Sequence, residues 1–211
     1  MRHGFLLIDK PTGPTSHDVV DRVRDRLTEK NVGHVGTLDP AASGLLVLAV
    51  GAKALKVVEF FTGLSKEYEA QVRLGAVSST YDAQGVIEEV QPKKGWPQPD
   101  DIALRRAIES RFLGKIQQTP PAHSAIHING KRAYELARQG KHVAMPSREV
   151  ELSACDVVRY EFPTITLRVA CSSGTYIRSL ANDLGEALGF GGYLAALRRT
   201  KVGEWDVKDA C

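Results

Sequence analysis

Cysteine is scarce in this chain of 211 residues, and its three copies (Cys155, Cys171 and Cys211) show no Cys-x-x-Cys spacing. An odd count without paired spacings argues against a disulfide framework or a zinc site, and for a reducing compartment. Long apolar runs are missing: none approaches the roughly 20 residues that a bilayer-spanning helix needs. The opening Met1-Arg2-His3-Gly4 leads straight into a strand-like run, which is not the pattern of a signal peptide. A soluble cytoplasmic protein is expected. Charge of one sign is not in excess either. A net +3 with pI near 8.7 is compatible with a nucleic-acid partner and too small to argue for one. The phosphate loop, the dinucleotide fingerprint and the His-Glu-x-x-His helix are all absent. His123 and His127 lie four apart, but Pro120, Pro121 and a strand-like run oppose a helical metal pair there. No cofactor and no metal are expected.

What is present is one dense stretch, Gly33-His34-Val35-Gly36-Thr37-Leu38-Asp39-Pro40-Ala41-Ala42-Ser43-Gly44, followed by the apolar run Leu45 to Val50. Glycines let a ligand come close to the main chain, and the proline pushes Asp39 toward an extended conformation. A short acid on a stiffened loop before a buried strand is presented for use. The plainer reading is a turn with Asp39 as a local cap.

Around that stretch the chain alternates irregularly. Phe5 to Ile8 reads as a buried strand ending in the Asp9-Lys10-Pro11 turn. Thr15 or Ser16 caps a helix with Val19, Val20, Val23 and Leu27 on one face. Residues 52–62 read as a helix closed by Gly63, and 66–75 as a strand with Tyr68, Ala70, Val72 and Leu74 on one face. Asp82-Ala83-Gln84-Gly85 is a turn before a returning strand at 86–90. Residues 91–99 form a linker in which Trp96 is a packing anchor. A helix from Asp100 to Leu113, a strand at 124–128, an Asn129-Gly130 turn and a basic helix at 131–139 follow. Strands at 149–160 and 164–171, a helix from Thr175 to Leu188, and a strand pair over 193–207 complete the chain. This order predicts an α+β fold with a mixed, largely antiparallel sheet flanked by helices, not a doubly wound parallel one.

The string from Gly33 to Gly44 resembles the catalytic loop of the TruB family of tRNA pseudouridine synthases, with Asp39 at the place of the family's catalytic aspartate. A slightly altered form marks the archaeal and eukaryotic RNA-guided relatives. Further matches follow in order: Gly4 to Pro11, Lys66-Glu67-Tyr68, Tyr134 to Gly140, Ser173 to Arg178, and Leu197 to Thr200. The resemblance implies the pseudouridine-synthase fold, one central sheet with a cleft across it. It also implies a single catalytic domain over 1–211, with an insertion around 91–147 and without the small C-terminal RNA-binding (PUA) domain with which family members usually continue. Such a chain is a minimal enzyme or a piece of a longer one.

The implied activity is isomerisation of uridine to pseudouridine in the tRNA T-loop, at position 55, by a monomer needing no cofactor. An ionised carboxylate suits it, as nucleophile or as base toward a sugar proton. Arg178 is the expected partner of Asp39, through a bidentate guanidinium; its plainer reading is a surface arginine in the first turn of a helix. Tyr68 is expected to stack on the uracil and offer its hydroxyl for proton transfer, or to be a core tyrosine. Tyr176 helps fix the base or packs at a helix start. His34 braces the flipped nucleotide or fills its place in the stack, and Leu197 forms a hydrophobic wall. Lys10, Lys131, Arg138, Arg198 and Arg199 are phosphate-contact candidates or solvated cations. Two other functions fit the same motif: an RNA-guided (H/ACA-type) synthase subunit, and a non-catalytic RNA-binding protein that folds tRNA.

Overall fold

The computed structural model describes residues 3–91, 97–124, 126–128, 130–140 and 144–211; Trp96, Asn129 and the side chain of Arg138 lie outside them. The first strand, β1 (Gly4–Lys10), precedes helix α1 (Ser16–Leu27). Thr15 caps α1 reciprocally: its Oγ1 accepts from Asp18 N at 3.0 Å, and Asp18 Oδ2 accepts from Thr15 N at 2.7 Å. Strands β2 (Val32–Val35) and β3 (Ala42–Val50) come next, then helices α2 (Ala52–Leu55) and α3 (Val58–Thr62). Strands β4 (Lys66–Leu74), β5 (Ala76–Ser78) and β6 (Ile87–Glu89) lead to helix α4 (Asp101–Arg111) and strand β7 (Gly114–Gln118). A small hairpin, β8 (His127–Ile128) and β9 (Lys131–Arg132), precedes helix α5 (Ala133–Arg138). Strands β10 (Arg148–Glu161) and β11 (Thr164–Cys171), helix α6 (Ile177–Leu188), and strands β12 (Gly192–Val202) and β13 (Trp205–Asp206) follow.

The main sheet runs β1-β3-β12-β4-β11-β10-β7, with β2 on β3 and β13 on β12. Its pairings are antiparallel except one: β12 lies parallel to β3, with Leu197 opposite Ala42 and Arg199 opposite Gly44. A strand 150 residues downstream thus enters the middle of the sheet. Leu45 to Ala49 are fully buried on both faces, which is why that run reads as unbroken apolar sequence. Leu46 and Leu48 join the larger core with Val20 of α1 and Leu180 and Leu184 of α6. Leu45 and Val47 face a smaller core with Phe5, Phe61 and Trp205. The α+β class expected from the sequence is the one observed, with a central mixed sheet flanked by helices.

Some local expectations change. Gly33, His34 and Val35 belong to β2 and not to a loop, because they pair in register with Ala49, Leu48 and Val47. The helix expected over 52–62 is two short ones: the β-branched pair Val57-Val58 interrupts it, and the second packs a partly buried Phe61 against the smaller core while Phe60 stands 81% exposed. The strand expected at 124–128 shortens to β8, and the basic helix begins at Ala133 because Lys131 and Arg132 pair with β8.

Candidate active site

Asp39 sits in the turn between β2 and β3, and its neighbours Gly36, Thr37, Leu38 and Pro40 are tied down. Leu38 is held at both its backbone atoms by the buried Ser16 hydroxyl, with Leu38 N donating to it and Leu38 O accepting from it, each at 2.9 Å. Pro40 O accepts from Gly13 N at 2.8 Å, and Asp39 O from Ala42 N at 3.0 Å. On the other side Arg199 donates to Gly36 O, Thr37 O and Leu45 O at 3.1, 3.4 and 2.7 Å. Asp39 is therefore a half-exposed carboxylate (44%) on a rigid turn, opening into a cleft of about 700 Å³. A nucleotide-sized ligand fits such a volume.

Arg178, the second residue of α6, reaches that carboxylate: Nε lies 3.1 Å from Asp39 Oδ2. The expected bidentate pairing is not what forms. The guanidinium is shared, with Nη1 3.5 Å from Asp82 Oδ2 and donating to Thr80 O at 3.3 Å, and Nη2 donating to His123 O at 3.0 Å. Asp82 also accepts from Thr80 Oγ1 at 2.6 Å and from Gln84 N at 3.0 Å. Its neighbour Tyr81 takes a left-handed φ of 64°. No sequence signal marks this role, since Asp82-Ala83-Gln84-Gly85 reads as a turn. The plainer reading of Arg178 fails as well, because its side chain is only 8% exposed.

The floor comes from paired strands. Tyr68 of β4 lies directly opposite Arg199 of β12, and Leu197 lies opposite Ala70 and Ala42. Tyr68 and Leu197 both line the cleft. Burial pushes the Tyr68 phenol above its ordinary value, an effect that the Arg199 charge opposes. Tyr176 lines the cleft too, with Arg148 over its ring at 4.8 Å and both its backbone atoms bonded to Gln118 (Tyr176 N to Oε1 at 2.8 Å, Nε2 to Tyr176 O at 3.0 Å). Arg148 further donates from Nη2 to Gly174 O. Neither Gln118 nor Arg148 carries a motif signal.

Several expected phosphate contacts are placed otherwise. Lys10 is fully buried, with Nζ donating to Pro11 O and Pro14 O at 2.9 Å each, so it braces the loop beneath Asp39 and does not face solvent. Burial lowers its pKa, against the Asp39 charge, which raises it. Arg199 is 1% exposed and holds the Asp39 turn. Arg198 projects to the opposite side of β12 from these and forms a two-pronged pair with Asp9 at 2.9 and 2.7 Å. Lys131 is exposed on β9. His34 is half-buried on β2 beside Leu48 and is not among the residues lining the cleft; its Nδ1 is buried without a partner, and burial, then Arg199 and His17, lower its pKa. Cys155 and Cys171 are buried with thiols pushed up to about 12 and about 11, so neither serves as a nucleophile at neutral pH. Among the described residues no group of three metal-ligating side chains occurs.

The arrangement offers one accessible carboxylate, oriented by a buried guanidinium, above a tyrosine and a leucine and beside a second aromatic ring. It can bind a planar heterocycle and present an ionised oxygen to the atom joining it to a sugar.

Comparison with known proteins agrees. Residues 24–177 match the TruB family pseudouridylate synthase (N terminal domain) model, and residues 178–211 match the tRNA pseudouridylate synthase B C-terminal domain model. Proteins named tRNA pseudouridine synthase B are similar over nearly the whole chain. The one from Opitutus terrae is 43% identical across 98% of this chain and 84% of its own length. The one from Leifsonia xyli is 48% identical across 98% of this chain and 69% of its own. Among solved structures, a Cbf5-Nop10-Gar1 complex aligns with a TM-score of 0.73 and 32% identity over 96% of this chain and 50% of that one. An H/ACA RNP bound to a substrate RNA containing 2'-deoxyuridine gives 0.70 and 28%, over 96% and 48%. This chain spans about half the length of those two. The boundary between the two family models falls inside a helix, between the first two residues of α6. On the turn that carries Asp39, the cleft built around it and these matches, the chain belongs to the TruB family of pseudouridylate synthases.

Proposed function

We propose that this protein isomerises uridine to pseudouridine in tRNA, acting on the T-loop at position 55 without a guide RNA. The observation that carries the reading is the Asp39 carboxylate, fixed at the mouth of a nucleotide-sized cleft against the buried Arg178. The isomerisation breaks the bond from sugar C1' to base N1 and forms one from C1' to C5; a proton leaves C5 and one is taken at N1. Nothing is oxidised or reduced. Asp39 handles the electron-poor carbon or the sugar proton with the same ionised oxygen. Tyr68, whose buried phenol keeps its proton at neutral pH, stacks on the ring and supplies a hydroxyl near the carbon that changes its proton. Tyr176 gives a second aromatic surface and Leu197 the apolar wall.

His34, beside the cleft, is assigned to the RNA around the extruded base, and Arg138 and Lys131 to its phosphates; these roles rest on the resemblance. The chain is read as one catalytic domain, monomeric and cytoplasmic. No helix among the described residues is long and apolar enough to cross a membrane. The RNA-guided reading draws on the likeness to Cbf5 and H/ACA structures, but the relatives named tRNA pseudouridine synthase B are more similar in sequence.

The test is a pseudouridine assay on an unmodified tRNA transcript with no guide RNA, beside the Asp39→Asn variant. Modification confined to the T-loop, lost by orders of magnitude in a variant that still binds RNA, is expected. Retained turnover in that variant would remove Asp39 from the chemistry. Binding without modification in the wild type would favour a guide-dependent or purely RNA-folding protein.

A further inference from the structure

Among the described residues, five buried polar side chains line the cleft: Lys66, Asp82, Ser124, Arg178 and Arg199. Four have partners within the protein. Lys66 donates to Thr62 O and Leu64 O, Asp82 accepts from Thr80 and Gln84, Arg178 joins Asp39 and Asp82, and Arg199 holds three carbonyls. Ser124 is different. It is 3% exposed, and its Oγ is buried with no hydrogen-bond partner. Folded proteins leave few hydroxyls unbonded away from water, because the lost hydration is not recovered. A serine hydroxyl turns about its single Cα–Cβ bond, so in the wall of a substrate cleft such a group can swing to face a substrate and gain its partner there.

The wall that carries Ser124 is fixed. It continues from β7 and is fastened to the start of α6 at three points. Gln118 clasps Tyr176, Ser179 Oγ donates to Thr119 O at 2.7 Å, and Arg178 Nη2 donates to His123 O at 3.0 Å. The Ser124 carbonyl accepts from Tyr134 N at 3.0 Å. Arg178, which grips this wall one residue before Ser124, also grips Asp39, so the hydroxyl and the carboxylate share one frame. A uracil ring offers two carbonyl oxygens and one N–H at its edge, and a serine hydroxyl donates one hydrogen bond. We propose that Ser124 is a substrate-binding residue whose hydroxyl donates to a carbonyl oxygen of the target uracil. This rests on the uridine-isomerising reading above.

The test uses the full chain and a T-arm hairpin carrying uridine, 2-thiouridine or 4-thiouridine at the target. Wild-type turnover of the uridine hairpin checks the underlying reading, and its absence would remove both. In Ser124→Ala, kcat/KM is expected to fall about ten- to hundredfold. The melting temperature of the unliganded protein should stay the same or rise, since the removed hydroxyl bonds nothing there. A sulfur is a poor acceptor, so one thio substitution should slow the wild type and make much less difference in the variant, identifying the carbonyl concerned. A kcat/KM within twofold of wild type, a drop in melting temperature with a parallel loss of activity, or thio penalties unchanged in the variant would each overturn the assignment.

Discussion

Arg178 divides one guanidinium among two carboxylates and two carbonyls, and that division sets what can replace it. A lysine carries the charge at a single point and cannot reach both Asp39 and Asp82 while holding the Thr80 and His123 carbonyls. Asp82 would then stay buried without its counter-ion. Arg178→Lys is expected to lower the single-turnover rate by at least about a hundredfold, with a smaller effect on RNA affinity; near-normal rates would show that the shared guanidinium does not position Asp39. His34 gives a prediction of a different kind. Its pKa in the folded protein lies below the usual 6.5, chiefly through burial. The unfolded chain therefore takes up the proton first, and stability falls as pH drops below about 6.5 toward the folded value. Denaturant midpoints at pH 7.5 and 5.5 should differ less in His34→Gln than in the wild type. An equal difference would mean that His34 does not contribute to acid sensitivity.

At the scale of elements, β3 and β12 come together at a glycine. Gly44 has φ +100°, and a Cβ there would lie 2.7 Å from Arg199 N and closer still to its carbonyl oxygen. Two backbones cannot part by that much without releasing the arginine that holds the Asp39 turn. Gly44→Ala is expected to cost about 3 kcal/mol of stability and to cut activity beyond what unfolding explains, measured by chemical denaturation beside single-turnover rates on the folded fraction. A stability change under about 0.5 kcal/mol would show that the strands tolerate separation. The same junction marks where sequence reading reached its limit. Strands β4, β10 and β11 and helices α1, α4 and α6 were legible from periodicity and caps, which are local. The run Leu197-Arg198-Arg199-Thr200 reads as a basic strand, yet Arg199 is buried on the carbonyls of the Asp39 turn and β3 and Arg198 faces away to Asp9 of β1, partners far earlier in the chain. Asp82 escaped notice for the same reason: its partner Arg178 lies 96 positions on. Asp39 itself was legible through the density of its motif.

For the whole molecule, the position of β12 makes the two ends of the chain one body. It fills the gap between β3 and β4 and supplies Leu197 and Arg199 to the cleft. A fragment ending at Gly189 leaves both neighbouring strands with open edges and Ala70, Val72 and Leu46 less covered. It is expected to show no cooperative thermal transition by calorimetry; a sharp two-state melt would mean that the first 189 residues fold alone. On a ribosome this has a further meaning. The growing chain emerges among tRNAs with its Asp39 turn already made, yet the strand that holds that turn is synthesised far later. Long-range pairing of this kind also forms slowly. A nascent chain therefore has its Asp39 turn held in place only once β12 has been made and has paired with β3.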